Sequence, residues 1–211
     1  MTQHARRFLL VLVVIAGAAV SGGADVLAQP VGYIAAIEGS ATVVRDGVDA
    51  AAGVGAVVEV EDVLVTGPDS RVLLVVEDGS RIVIGADSRV ALMFVVDAGR
   101  VSGDGVVELL RGILRIGVHQ PESRPVLETR SPTAVVAARS TEWIMEYVED
   151  RTAVLGVEGT VEVTATTAEG SVVLGPGFGT DVARGEPPTP PVEWGAARAQ
   201  SARQRTTLGA P

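Results

Sequence analysis

The chain has 211 residues, a formal net charge of −9 at pH 7 and no cysteine, and all 17 of its basic residues are arginine. Acidity of this size repels phosphate backbones and anionic membrane surfaces, which sets nucleic acid aside as a partner; the missing cysteines exclude disulfides and thiolate chemistry. With 47% hydrophobic but only 3% aromatic residues, a core has to come from Val, Leu and Ile.

Residues 1–28 read as a signal peptide, with Arg6 and Arg7 as the basic region, an apolar run from Phe8 and a small-residue cleavage site at Val26-Leu27-Ala28. Even counted from Phe8 to Val20 the apolar stretch is 13 residues, against the roughly 20 that a bilayer-spanning helix needs. Cleavage is therefore favoured over a permanent anchor. The expected product is periplasmic or secreted, exported by the general secretory route, with no transmembrane segment after cleavage.

Residues 29–185 read as one domain. From Val31 onward, short β-branched runs alternate with Gly, Asp, Ser and Pro, and almost no stretch carries a helical apolar period. In Ser140 to Val148, Trp143, Met145 and Tyr147 share one face, with Glu142 and Glu146 on the other. Val72 to Val76 and Ala91 to Val96 are apolar on both faces and need cover on two sides. Asp46-Gly47, Asp78-Gly79 and Glu149-Asp150 sit between apolar runs as hairpin turns. Asp69-Ser70-Arg71-Val72 returns 18 residues later as Asp87-Ser88-Arg89-Val90, a recurrence that suits a turn-and-strand unit and equally suits chance in a chain this rich in Val and Gly. The fold class is all-β: a single domain of short antiparallel strands, β-solenoid-like or a rolled two-sheet sandwich. Residues 186–211 open with Glu186-Pro187-Pro188-Thr189-Pro190-Pro191 and continue small and polar. They are expected as a disordered tail with one or two helical turns around Trp194 to Gln204.

Catalytic parts are scarce. His119 is the one histidine beyond the signal segment, and there is no Gly-x-Ser-x-Gly elbow. The pairs Glu61-Asp62, Glu77-Asp78 and Glu149-Asp150 are adjacent in sequence and read as solvated turns. Asp97 to Glu108 fails as a calcium loop, because Gly99 and Val101 stand where oxygen ligands belong. Gly175-Pro176-Gly177-Phe178-Gly179 lacks the Lys-Ser/Thr of a phosphate loop. No catalytic residue, metal ligand or cofactor is expected, and the chain reads as a non-enzyme.

Four runs follow one another in a telling order: Asp62-Val63-Leu64-Val65-Thr66-Gly67 with Ser70-Arg71-Val72-Leu73-Leu74; Glu77-Asp78-Gly79-Ser80-Arg81-Ile82-Val83-Ile84-Gly85; Leu109-Leu110-Arg111-Gly112-Ile113-Leu114-Arg115; and Ser131-Pro132 through Ala138-Arg139-Ser140-Thr141-Glu142-Trp143. Glu158-Gly159-Thr160-Val161 and Val173-Leu174-Gly175-Pro176-Gly177 come after them. Together they resemble the FecR domain family, the extracytoplasmic domain of bacterial iron-citrate signalling regulators, from about Ile34 to Val182. Glu61 and Ser140 stand where the family has glycine, and Ser140 suits its position if the backbone there avoids positive φ.

The resemblance implies mainly structural roles, as turn formers and strand anchors, for Asp62, Thr66, Ser70, Asp78, Gly79, Ser80, Gly112, Pro132, Arg139, Thr141, Trp143, Glu158 and Gly159. It implies a non-enzymatic envelope module for binding or signalling that recognises a protein or glycan partner. The alternative is a structural or scaffolding protein of the cell envelope.

Overall fold

The computed structural model describes residues 30–97, 100–118, 127–138 and 140–209, with only the backbone described between 95 and 104. The signal segment 1–28, His119 and Arg139 lie outside the described residues.

The strands are β1 (Pro30–Glu38), β2 (Ala41–Arg45), β3 (Val48–Ala51), β4 (Val57–Glu59), β5 (Val63–Thr66), β6 (Arg71–Val76), β7 (Arg81–Ile84), β8 (Arg89–Asp97), β9 (Arg100–Gly117), β10 (Leu127–Arg130), β11 (Ala134–Ala138), β12 (Glu142–Val148), β13 (Arg151–Glu158), β14 (Val161–Ala165), β15 (Ser171–Leu174), β16 (Phe178–Ala183) and β17 (Val192–Glu193). One helix, α1 (Ala196–Arg205), follows them.

Hydrogen bonding links all the strands, and β9 folds the array into two layers. Layer one runs β4-β1-β6-β7-β9-β12-β13-β16-β17. Layer two runs β3-β2-β5-β8-β9-β10-β11-β14-β15. The β9–β10 pair is parallel and the rest are antiparallel. The first part of β9 pairs with β8 in layer two, and its last residues pair with β7 and β12 in layer one. The bend between them falls at Gly112, where φ is +96°. This is the rolled two-sheet form of the expected all-β class.

In the N-terminal half, β1–β2, β5–β6, β7–β8 and the bend in β9 change layers at one end of the sandwich. The C-terminal half changes layers at the other end: Glu142 pairs with Gly117, the end of β9 remote from the bend, while Tyr147 pairs with Gly112.

Alternation puts one face of every central strand inside. Val72, Leu74, Ile82 and Ile84 from layer one meet Leu64, Val90, Leu92 and Val136 from layer two, with Trp143 fully buried among them. Each such side chain contributes about 1.5–3 kcal/mol on burial. The strands that read as apolar on both faces are covered less evenly, since Met93 on the outer face of β8 remains 46% exposed.

The tail has the helical turns expected around Trp194 to Gln204, as α1, but departs from the expected disorder. Instead of being disordered, β17 pairs with Phe178 and Gly179 and α1 lies on the outer face of layer one. Trp194 rests over Gly179, where a Cβ would come within 2.1 Å of the indole nitrogen. Ala199 and Ala202 are small enough to let the helix approach, and they close a second core over Ile113, Ile144, Ala153 and Leu155. Local sequence hides this because α1 is short and has no side-chain N-cap; its order comes from tertiary contacts, which composition does not display.

Candidate functional site

The recurrent Asp-Ser unit is a real structural repeat. Asp69 and Asp87 both take φ of +52°. The hydroxyl of Ser70 donates to the Pro68 carbonyl (3.0 Å) and accepts the amide of Ser40 (2.9 Å). That of Ser88 donates to the Ala86 carbonyl (3.0 Å) and accepts the amide of Ile113 (3.0 Å). Each serine faces a positive-φ glycine: a Cβ on Gly39 would lie 2.4 Å from Ser70 Oγ, and one on Gly112 would lie 2.2 Å from Ser88 Oγ. Thr66 joins the second corner, donating to the Gly85 carbonyl (2.6 Å) and accepting the amide of Ser88 (3.0 Å).

A third corner at the opposite end shares the backbone and the facing glycine but not the hydrogen bonds, since the Thr141 hydroxyl is buried without a partner among the described residues. Ser140 takes φ of +47°, Thr141 occupies the hydroxyl position and Gly159, at φ +72°, faces it with a would-be Cβ 2.5 Å from Thr141 Cγ2. Ser140 therefore does sit in the left-handed region, contrary to the condition under which it was expected to fit, and Glu61 does too at φ +69°. Both residues occupy backbone that favours glycine. Ser140→Gly and Glu61→Gly are each expected to add about 0.5–1 kcal/mol, raising Tm by about 2 °C per site. Thermal melts followed by circular dichroism check this, and an unchanged or lower Tm would count against the strain.

Several of the other motif residues make local contacts. Asp62 is fully buried and takes Arg45 in a two-point contact (2.8 and 2.7 Å) together with the Glu59 amide (2.7 Å). Asp78 accepts the Ser80 amide (2.7 Å) around Gly79, whose φ is +89°. The Pro132 carbonyl accepts the Thr166 hydroxyl (2.8 Å). Glu158 ends β13 opposite Glu142, and Glu142 pairs with Arg115 (2.6 Å). Thus Thr66 and Gly112 meet at one corner and Thr141 and Gly159 at another, while Ser70, Asp62 and the Asp78–Ser80 turn stand apart. Sequence reading missed a buried hydroxyl cluster in which Ser131 and Thr133 contact Thr152 at 2.6 and 2.5 Å, tying the β10–β11 turn to β13.

The surface with the most chemistry is the outer face of layer one. Ile144 lies between Glu142 and Glu146 on β12, and Ala153 and Leu155 follow on β13. An apolar residue between two acids on the supposed solvent side was the signal for a covered face. Arg205 grips Glu146 through both nitrogens (2.5 and 2.9 Å), and Arg198 grips Asp181 (3.1 and 2.7 Å) while stacking 3.7 Å from the Trp194 ring centroid. The hydrogen bond to Glu146 raises the Arg205 pKa above its ordinary value. At the β12–β13 turn, Asp150 accepts Arg184 (2.8 Å) and Tyr147 (2.9 Å), and Arg184 foremost lowers its pKa.

A smaller apolar groove follows the open edge strand β3, with Val48 at 66% and Val57 at 53% exposure. Among the described residues, no three His, Cys, Asp or Glu side chains converge as a metal site and no helix is long and apolar enough to cross a membrane.

Residues 62–162 match the family model described as FecR protein. Two crystal structures of a candidate anti-sigma factor from Parabacteroides distasonis resemble the chain with TM-score 0.56 at 17% identity, over 67% of this chain and 64% of theirs. The likeness thus spans less than two thirds of those structures, and at this identity it speaks to fold. No curated protein matches the chain. Helix α1 and its acidic partner Asp181 lie outside the matched span.

Proposed function

We propose, from the premise that the chain carries a FecR-family domain over residues 62–162, that it serves as a non-catalytic binding and signalling module of the bacterial envelope whose partner is a protein. The family match carries this reading. Support comes from the corners closed by Thr66, Ser70, Gly112 and Gly159, with sheet faces and edges read as the recognition surfaces.

Export is read from the order of basic, apolar and small residues in the segment 1–28. N-terminal sequencing of the protein from a bacterial periplasmic fraction is expected to begin at Gln29; a retained residue 1–28 segment would refute cleavage.

The partner is tested by cross-linking the full chain in envelope extract. A discrete protein adduct supports recognition, whereas growth into large assemblies of the chain alone would favour a scaffolding role. Hydrolase activity abolished by His119→Ala would overturn the non-catalytic reading.

A further inference from the structure

We infer that the outer face of layer one is the partner-binding face, and that residues 192–209 occupy it in place of a partner helix whose apolar stripe is flanked by arginine or lysine. This rests on the protein-binding reading above and assigns it a surface.

The face itself is built for cover. Ile113, Ile144 and Leu155 are at most 2% exposed, and they meet Trp194, Ala199 and Ala202 in a core separate from the main one. Outer strand positions of a two-layer sandwich are ordinarily polar. Without the helix these residues form a contiguous apolar patch, the feature that marks interaction surfaces.

Its rim specifies charge. Glu146 and Asp181 are the carboxylates that hold Arg205 and Arg198, on a chain whose net charge is −9. A basic helix is drawn to such a rim and an acidic one is repelled.

The present occupant is a short segment, anchored by Trp194, two ion pairs and a hydrogen bond from the Gly209 amide to Glu38. Helix α1 has 10 residues and no side-chain N-cap, a length at which an isolated helix is marginal. The buried positions of α1 itself are Ala199 and Ala202, and the larger apolar contribution of the segment comes from Trp194 before it. Both ion pairs are two-point contacts whose side chains are partly exposed, so charge reversal reaches them without disturbing the core. The Trp194 indole N–H is buried without an acceptor among the described residues. Such a segment opens more readily than the strands beneath it. Past α1, residues 206–209 of the same segment form one wall of a cleft of about 420 Å³ whose other walls include Ala36, Leu73, Val83, Arg115 and Glu142, so the surface freed by release of the whole segment extends beyond α1.

The test uses the full chain. Arg198→Glu with Arg205→Glu reverses both anchors and leaves the face intact, and tryptic cleavage after Arg203, present in both proteins, reports release. Cleavage is expected to rise at least tenfold while hydrogen-exchange protection of β6 and β12 is unchanged. A labelled synthetic peptide of residues 190–209 should bind this variant and lose binding at least tenfold when Glu146→Gln and Asp181→Asn are added, changes that remove the rim charge without restoring the tail's own ion pairs. Equal cleavage in the two proteins, or a released face that ignores the peptide, overturns the proposal. A protein that cross-links to the chain with undiminished yield after Glu146→Arg and Asp181→Arg also overturns this assignment of the face, and leaves the protein-binding reading standing.

Discussion

Alanine at Gly112 is expected to cost about 3–5 kcal/mol, combining overpacking with left-handed backbone strain, a large fraction of the 5–15 kcal/mol that holds a domain folded. The residue sits at φ +96°, and a Cβ there would come within 2.2 Å of Ser88 Oγ and 2.6 Å of Ser88 Cα. Rotating the serine away relieves only the first contact. The second is backbone, and Ser88 is fixed by bonds from its hydroxyl to Ala86 and from Ile113, and from its amide to Thr66. Relief requires β8 to shift against β9, the strand that belongs to both layers. Gly177 provides the control: its φ is +83°, yet nothing lies within 4 Å of a Cβ built on it. Gly177→Ala should therefore show backbone strain alone, about 1 kcal/mol. Urea denaturation of the two variants separates the terms, and equal midpoints would mean that the corner is not closely packed.

How far the sequence shows these features depends on the range of the interactions that create them. The Asp46-Gly47 turn was readable because both residues carry the requirement within themselves, at φ +51° and +76°. The faces of β12 were readable from alternation, since Trp143 and Met145 point inward and Glu142 and Glu146 do not. The choice between solenoid and sandwich was not, because it turns on whether a chain leaving a strand pairs within its own layer or crosses to the other. That is decided by partners such as Gly39 for Ser70, 31 residues away in the chain and 2.4 Å from contact with a Cβ. The strain at Glu61 and Ser140 was equally hidden, since neither residue type advertises a left-handed backbone. The helical turns around Trp194 to Gln204 were legible, but the docking of α1 was not, because Ala199 and Ala202 read as small tail residues until Ile144 and Leu155 are seen beneath them.

Removing the Arg45 side chain while keeping Asp62 should be the most damaging single change at the β4–β5 crossing. Asp62 is fully buried, and two of the three N–H groups its carboxylate accepts come from Arg45. Stripping the partner from a buried charge costs about 3–5 kcal/mol. The Arg45 side chain is itself 40% exposed, so water reaches part of the vacated space and the expected loss for Arg45→Met is about 2–3 kcal/mol. Asp62→Leu should cost less, about 1–2 kcal/mol, because Arg45 retains Glu59 and solvent while the Glu59 amide loses its acceptor. If the pair acts as a unit, the double variant falls short of the sum by about 1–2 kcal/mol. Strict additivity in a urea double-mutant cycle would deny the coupling and reopen Asp62, the residue at which the family match begins, as a contact for something other than its own chain.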